Sequence, residues 1–157
     1  MKIEGKVFVV TGGASGLGAA TATHLVAQGA SVIMVDMNHE LGEEMQKRLG
    51  EKSKFVPLDV TNEIAVEQFF KQLEQDYGQL NGLINCAGIG PSAKKVLNIN
   101  VSGTFNMLRF AADVISRYEL AAGEEDRGVI INTASVAAFD GQIGQTAYAA
   151  SKVLLSQ

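Results

Sequence analysis

The stretch TAYAASKVLLSQ places Tyr148 four residues before Lys152, one helical turn apart. These two residue types at this spacing suit a proton-transfer step. A tyrosine hydroxyl has an ordinary pKa of about 10, too high for a good base at neutral pH. An ammonium one turn away favours the phenolate and lowers that value, each unit corresponding to about 1.4 kcal/mol. A phenol tuned in this way can take a proton from a substrate hydroxyl and return it in the reverse direction. Alone, Tyr-x-x-x-Lys is a weak signal that chance readily supplies. Ser135, thirteen residues upstream at the end of an apolar run, places a second hydroxyl in the same region.

The elements that must position these residues follow an alternating pattern. Val7 to Val10 reads as a buried strand, followed by a glycine turn and a small-residue helix from about Gly16 to Gln28, with Gly29 its stop. Val32 to Val35 is apolar at successive positions, as a parallel strand covered on both faces should be. Asn38 is placed to cap a helix reaching Leu49, which Gly50 ends. A third strand spans Lys54 to Leu58. Thr61 is then expected to cap a helix whose Val66, Phe69, Phe70 and Leu73 share one face, with Gly78 its end. Leu83-Ile84 begins a fourth strand, a helix covers about Lys95 to Tyr118, and Ala121 to Arg127 forms an acidic surface loop. Val129 to Ile131 is a fifth strand, and a last helix starts near Gln145. Strand and helix in alternation predict an α/β doubly wound parallel sheet of the Rossmann type, in one domain over residues 1–157.

The turn VVTGGASGLGAA between the first strand and first helix carries Gly12, Gly16 and Gly18 as G-x-x-x-G-x-G. Gly12 allows a sharp turn, and bare positions at Gly16 and Gly18 let a pyrophosphate approach the free N–H groups opening the helix. Ser15 adds a hydroxyl donor. Asp36, at the end of the second strand, can accept from both hydroxyls of a ribose. Its charge would repel a 2′-phosphate, so NAD is favoured over NADP. The glycine turn alone would read equally as a turn without a ligand; its place between strand and helix and Asp36 at the expected distance favour a nucleotide site, the alternative for Asp36 being an exposed strand-end aspartate.

Composition excludes other classes. A net charge of −4 without a basic cluster argues against nucleic acid or anionic membrane as partner. A single cysteine, Cys86, rules out an internal disulfide and suits a reducing cytoplasm, and no signal-like or spanning apolar stretch is seen. His24 and His39 read as surface residues, and no His, Cys or carboxylate spacing suggests a metal.

TGGASGLG, LDV at 58–60, NCAG at 85–88, NVSG at 100–103, INTAS at 131–135 and YAASK at 148–152 occur in the order of short-chain dehydrogenases/reductases, which this chain therefore resembles over nearly its whole length. Within that family, INTASVAAFDGQIGQTAYAASK looks most like the type 2 3-hydroxyacyl-CoA dehydrogenases, also described as 17β-hydroxysteroid dehydrogenases. The resemblance implies an NAD-dependent oxidoreductase acting on a secondary alcohol such as a 3-hydroxyacyl-CoA or a hydroxysteroid. It makes Tyr148 the base, has Ser135 hold the substrate oxygen, and lets Lys152 also reach the nicotinamide ribose. Asn100 would support a water that feeds protons to Lys152; its alternative is a surface amide, with Asn98 a nearby decoy. Asp59 and Val60 would border the adenine. Leu17, Gly88 and the backbone of Cys86 would face the cofactor, with the Cys86 thiol buried and structural. Gln142 is a weaker substrate candidate, since it can equally be solvated. The family implies a homotetramer, with helices 95–118 and after 146 pairing between subunits.

Two departures from the family pattern stand out. The segment GIGPSAKKVLNIN between Gly88 and Asn100 is short, and the text stops soon after Lys152. The expectation is a domain incomplete around 90–95 and at its C-terminus, lacking the last strands and the substrate loop. The competing expectation is an NAD-binding module without chemistry of its own, acting through a partner.

Overall fold

A computed structural model describes residues 2–90, 92–120 and 122–156. Met1, Pro91, Gln157 and Ala121, with which the expected acidic loop begins, lie outside the described residues. Five strands, β1 (Val7–Thr11), β2 (Ser31–Asp36), β3 (Ser53–Pro57), β4 (Gly82–Asn85) and β5 (Val129–Asn132), form one parallel sheet in the order β3-β2-β1-β4-β5. The order reverses at β1, and such a switch leaves a crevice beyond the strands' C-terminal ends. There Thr11 pairs in register with Val35 and Asn85, and Asn85 with Asn132. Pro57 closes β3, an outer strand, where a missing N–H costs no ladder bond.

Alternation along the strands supplies both faces. Val7, Val9, Ile33, Val35 and Leu83 point to one cluster, which α3 (Glu63–Tyr77) and α5 (Thr104–Arg117) cover. Phe8, Val10, Val32, Met34 and Ile84 point to the other, which α1 (Gly16–Ala27) and α2 (His39–Leu49) cover. Each large side chain so buried contributes about 1.5–3 kcal/mol. β2 meets the expectation of a strand covered on both faces at Val32–Val35, β1 is buried as expected and β4 is buried too, whereas on β5 Ile131 remains exposed.

Asn38 caps α2 as expected, accepting from Leu41 N at 3.1 Å. On α3 the cap is Asn62, which accepts from Ala65 N, while the N–H and hydroxyl of Thr61 both donate to Asp59 Oδ1. The carboxylate two residues back outcompetes the helix for the threonine. The helix expected over 95–118 is a longer run: α4 (Ala93–Val96), a wide π-helical turn (Leu97–Gly103), then α5. Apolar periodicity cannot reveal a change from i→i+4 to i→i+5 bonding over so short a stretch. The last helix, α6 (Thr146–Leu155), follows a 3₁₀ turn at Val136–Ala138.

Candidate active site

A cleft of about 400 Å³ opens at the C-terminal ends of β1, β2 and β4. Gly12, Ser15, Gly16, Leu17 and Gly18 line it from the first turn, and Asp36 from the end of β2. Asp59 and Val60 close it after β3, Cys86 and Gly88 after β4. Ten of the predicted cofactor residues therefore converge on one cavity; Tyr148 and Lys152 stand outside its wall.

The three glycines do different work. Gly12 has φ +65°, and a Cβ there would lie 3.0 Å from Ala87 N. Gly16 has φ +51° with open space above it, which suits an approaching ligand. Gly18 lines the cleft and has a further reason to be bare: a Cβ would meet Gly12 O at 2.1 Å, so its bareness lets α1 pack against its own entry turn. Ser15 is extended and makes no side-chain cap, leaving its hydroxyl beside the helix amides. Asp36 accepts from Ala14 N at 3.2 Å and from Asn38 N at 3.0 Å, one bond per oxygen, and each oxygen keeps a further lone pair. An anion-binding helix end at one side of the cleft and an oriented carboxylate at the other fit a dinucleotide.

Thr11 was not foreseen as a site residue. Its hydroxyl accepts from Cys86 N and Ala87 N, both at 3.0 Å, seating the turn after β4 against the turn after β1. The signal was a hydroxyl residue ending a buried apolar strand.

Tyr148 lies half-buried in the first turn of α6. Lys152 is buried one turn on, its Nζ 5.7 Å from the centroid of the Tyr148 ring. That ammonium donates to the carbonyl oxygen of Thr133 at 2.6 Å. Burial pushes Lys152 below the ordinary lysine value, with the Cys86 thiol acting in the opposite sense. Ser135 opens the 3₁₀ turn, and its Oγ accepts from Ala137 N at 3.2 Å. Cys86 is half-buried rather than enclosed, and its sulfur accepts from the Thr133 hydroxyl at 3.5 Å.

Asn100 is fully buried, which excludes the surface-amide alternative, and Asn98 is exposed. Gln142 lies exposed on the loop between Ser135 and Tyr148 and is not drawn into the cleft. His24 and His39 are exposed, the latter 3.5 Å from Glu43. Among the described residues no group of three or more His, Cys, Asp or Glu side chains could hold a metal ion. No helix among them is long and apolar enough to cross a membrane.

Comparison with known proteins agrees with this geometry. Residues 6–157 match the short chain dehydrogenase family. The chain is 46% identical to a 3-hydroxyacyl-CoA dehydrogenase type-2 of Drosophila melanogaster, covering 96% of this chain and 65% of that protein. It is 44% identical to the Homo sapiens protein of the same name, over 96% of this chain and 63% of the relative. A 3-oxoacyl-acyl-carrier-protein reductase of Thermotoga maritima is 33% identical, over 97% and 64% respectively. The chain thus spans a little under two thirds of the length of these relatives. A parallel sheet of order 3-2-1-4-5, a glycine-turn cleft, and a family match from Lys6 onward lead to one statement: the chain belongs to the short-chain dehydrogenases.

Proposed function

We propose that this chain builds the nucleotide-binding and proton-handling part of an NAD-dependent dehydrogenase for a secondary alcohol, with a 3-hydroxyacyl-CoA or a hydroxysteroid as substrate. The observation that carries the reading is Tyr148 on α6 with the buried Lys152 ammonium 5.7 Å from its ring, at the end of the sheet where Asp36 and the glycine turn line a cleft of about 400 Å³. The names of the relatives support the hydroxyacyl-CoA class.

The opening amides of α1 and the Ser15 hydroxyl hold a pyrophosphate, and Asp36 accepts from ribose hydroxyls while repelling a 2′-phosphate. Asp59 and Val60 flank the adenine, and Leu17, Gly88 and the Cys86 backbone line the remaining wall. A bound nicotinamide supplies the hydride-accepting carbon. Tyr148 Oη takes the proton of the substrate hydroxyl. Ser135 Oγ already accepts from Ala137 N, so its own hydrogen is free to donate to the substrate oxygen. One Lys152 N–H is held by Thr133 O, and the other two are available to a ribose. Asn100 acts by position, since both of its amide hydrogens are committed to protein acceptors.

Hydride transfer, followed by the absorbance of reduced nicotinamide, tests the assignment. Tyr148→Phe is expected to lower turnover at least a hundredfold with NAD binding retained; normal turnover would overturn it. A second reading, an NAD-binding module whose chemistry needs a partner, is favoured by the exposure of Val136 and Phe139 (77% and 85%) just after Ser135. NAD binding without turnover of any hydroxyacyl-CoA would select that reading. Exposed Leu97, Phe105 and Leu154 on the long helical run and α6 support pairing between copies, as in a homotetramer, which light scattering would check.

A further inference from the structure

We propose that Ser151 is a positioning residue: its hydroxyl ties the helix carrying Tyr148 and Lys152 to the Gly88–Ile89 wall of the dinucleotide cleft, through the amide of Asn100. Ser151 is fully buried and lies between the two residues assigned to proton transfer. Its Oγ donates to the carbonyl oxygen of Tyr148 at 2.7 Å and accepts from Asn100 Nδ2 at 3.1 Å.

The bond to Tyr148 alone would be ordinary, because serines inside helices often bond a carbonyl three or four residues back. The acceptor role sets Ser151 apart. Asn100 comes from the π-helical turn, and its other polar contacts both fall on Ile89. Oδ1 accepts from Ile89 N at 2.9 Å, and Nδ2 donates to Ile89 O at 3.1 Å. Gly88 completes the seat, since a Cβ there would stand 3.2 Å from the same Oδ1. Gly88 and Ile89 line the cleft. One buried amide therefore holds the cleft wall with two of its bonds and the proton-transfer helix with the third.

The physical consequence is coupling. Without the Ser151 hydroxyl, one Nδ2 hydrogen of a buried amide loses its acceptor, an outcome that folded proteins avoid. The amide then turns to find another partner and loosens its grip on Ile89, or stays unpaired and frees α6 from the wall. Either way the separation between the cleft and the proton-transfer pair is no longer set.

The test compares the unmodified chain with Ser151→Ala and Ser151→Thr, the latter keeping the hydroxyl. Ser151→Ala is expected to speed hydrogen exchange at the Ile89 amide, whose acceptor is Asn100 Oδ1, at least tenfold. On the proposed dehydrogenase reading, it also lowers kcat per NAD-binding molecule about tenfold with KM for NAD changed less than twofold. Ser151→Thr restores both. Unchanged Ile89 exchange in a folded Ser151→Ala protein overturns the proposal, as does an equal loss of kcat in the threonine protein. Should the alanine protein not fold, Ser151→Cys, close in size but a much weaker acceptor, carries the same readouts. If the unmodified chain transfers no hydride, the dehydrogenase reading fails, and the exchange at Ile89 still decides this inference.

Discussion

The Lys152 ammonium donates to the carbonyl oxygen of Thr133 at 2.6 Å, joining the middle of α6 to the residue that follows β5. This bond orients a buried cation beneath the Tyr148 ring and gives it one partner in a place where burial opposes its charge.

Lys152→Met is therefore expected to lower turnover at least about a hundredfold, the lower end of the range for a lost proton-transfer partner. The pH dependence follows from the depressed pKa. In the window between the native value and the ordinary 10.5, the unfolded chain holds a proton that the native protein has lost. Stability contributed by this site thus rises with pH across that window. Denaturation of the unmodified protein and of Lys152→Met at several pH values checks the sign: the difference between them should shift in favour of the unmodified protein as pH rises. Activity supported by the ammonium falls over the same window, and Lys152→Arg should move that alkaline limb upward.

Asp36 orients its carboxylate with two backbone N–H groups, one on either side of it in sequence. On the proposed reading, Asp36→Ala removes the charge that disfavours a 2′-phosphate. Steady-state kinetics with both dinucleotides should show NAD preference falling at least tenfold, mainly through KM. An unchanged preference would mean that Asp36 does not face the ribose.

Gly16 and Gly18 separate ligand access from packing. Gly16→Ala meets open space but holds φ +51°, so it should cost about 1–2 kcal/mol, with a larger proportional loss of NAD affinity. Gly18→Ala would drive a Cβ to 2.1 Å from Gly12 O, a backbone atom that cannot yield without reshaping the turn. Its melting temperature should fall well below that of Gly16→Ala, which a thermal scan of the two proteins decides.

The cap of α3 offers a test away from the cleft. Asn62→Ala removes the acceptor for Ala65 N and should cost about 1 kcal/mol in urea denaturation. Thr61→Ala should cost less, because Thr61 serves the Asp59 turn and not the helix end.

Local chemistry was legible in the residues themselves. Strand and helix alternation, the stops at Gly29 and Gly78, the Asn38 cap and the placing of Asp36 after a glycine turn all depend on neighbours a few positions apart. Such patterns are written directly into composition and period. Thr61 was mistaken for a cap because the Asp59 carboxylate competes for its hydrogens, and the packing demand at Gly18 went unread, since spacing alone ranks neither. What only the tertiary structure decided are the contacts across long separations. The Thr11 hydroxyl reaches Cys86 75 positions away, and Asn100 reaches Ser151 across 51. The order of parallel strands, the wide turn at Leu97–Gly103 and the burial of Lys152 bring those groups together. A hydroxyl or amide carries no mark of its distant partner; the sheet has to close before that partner exists.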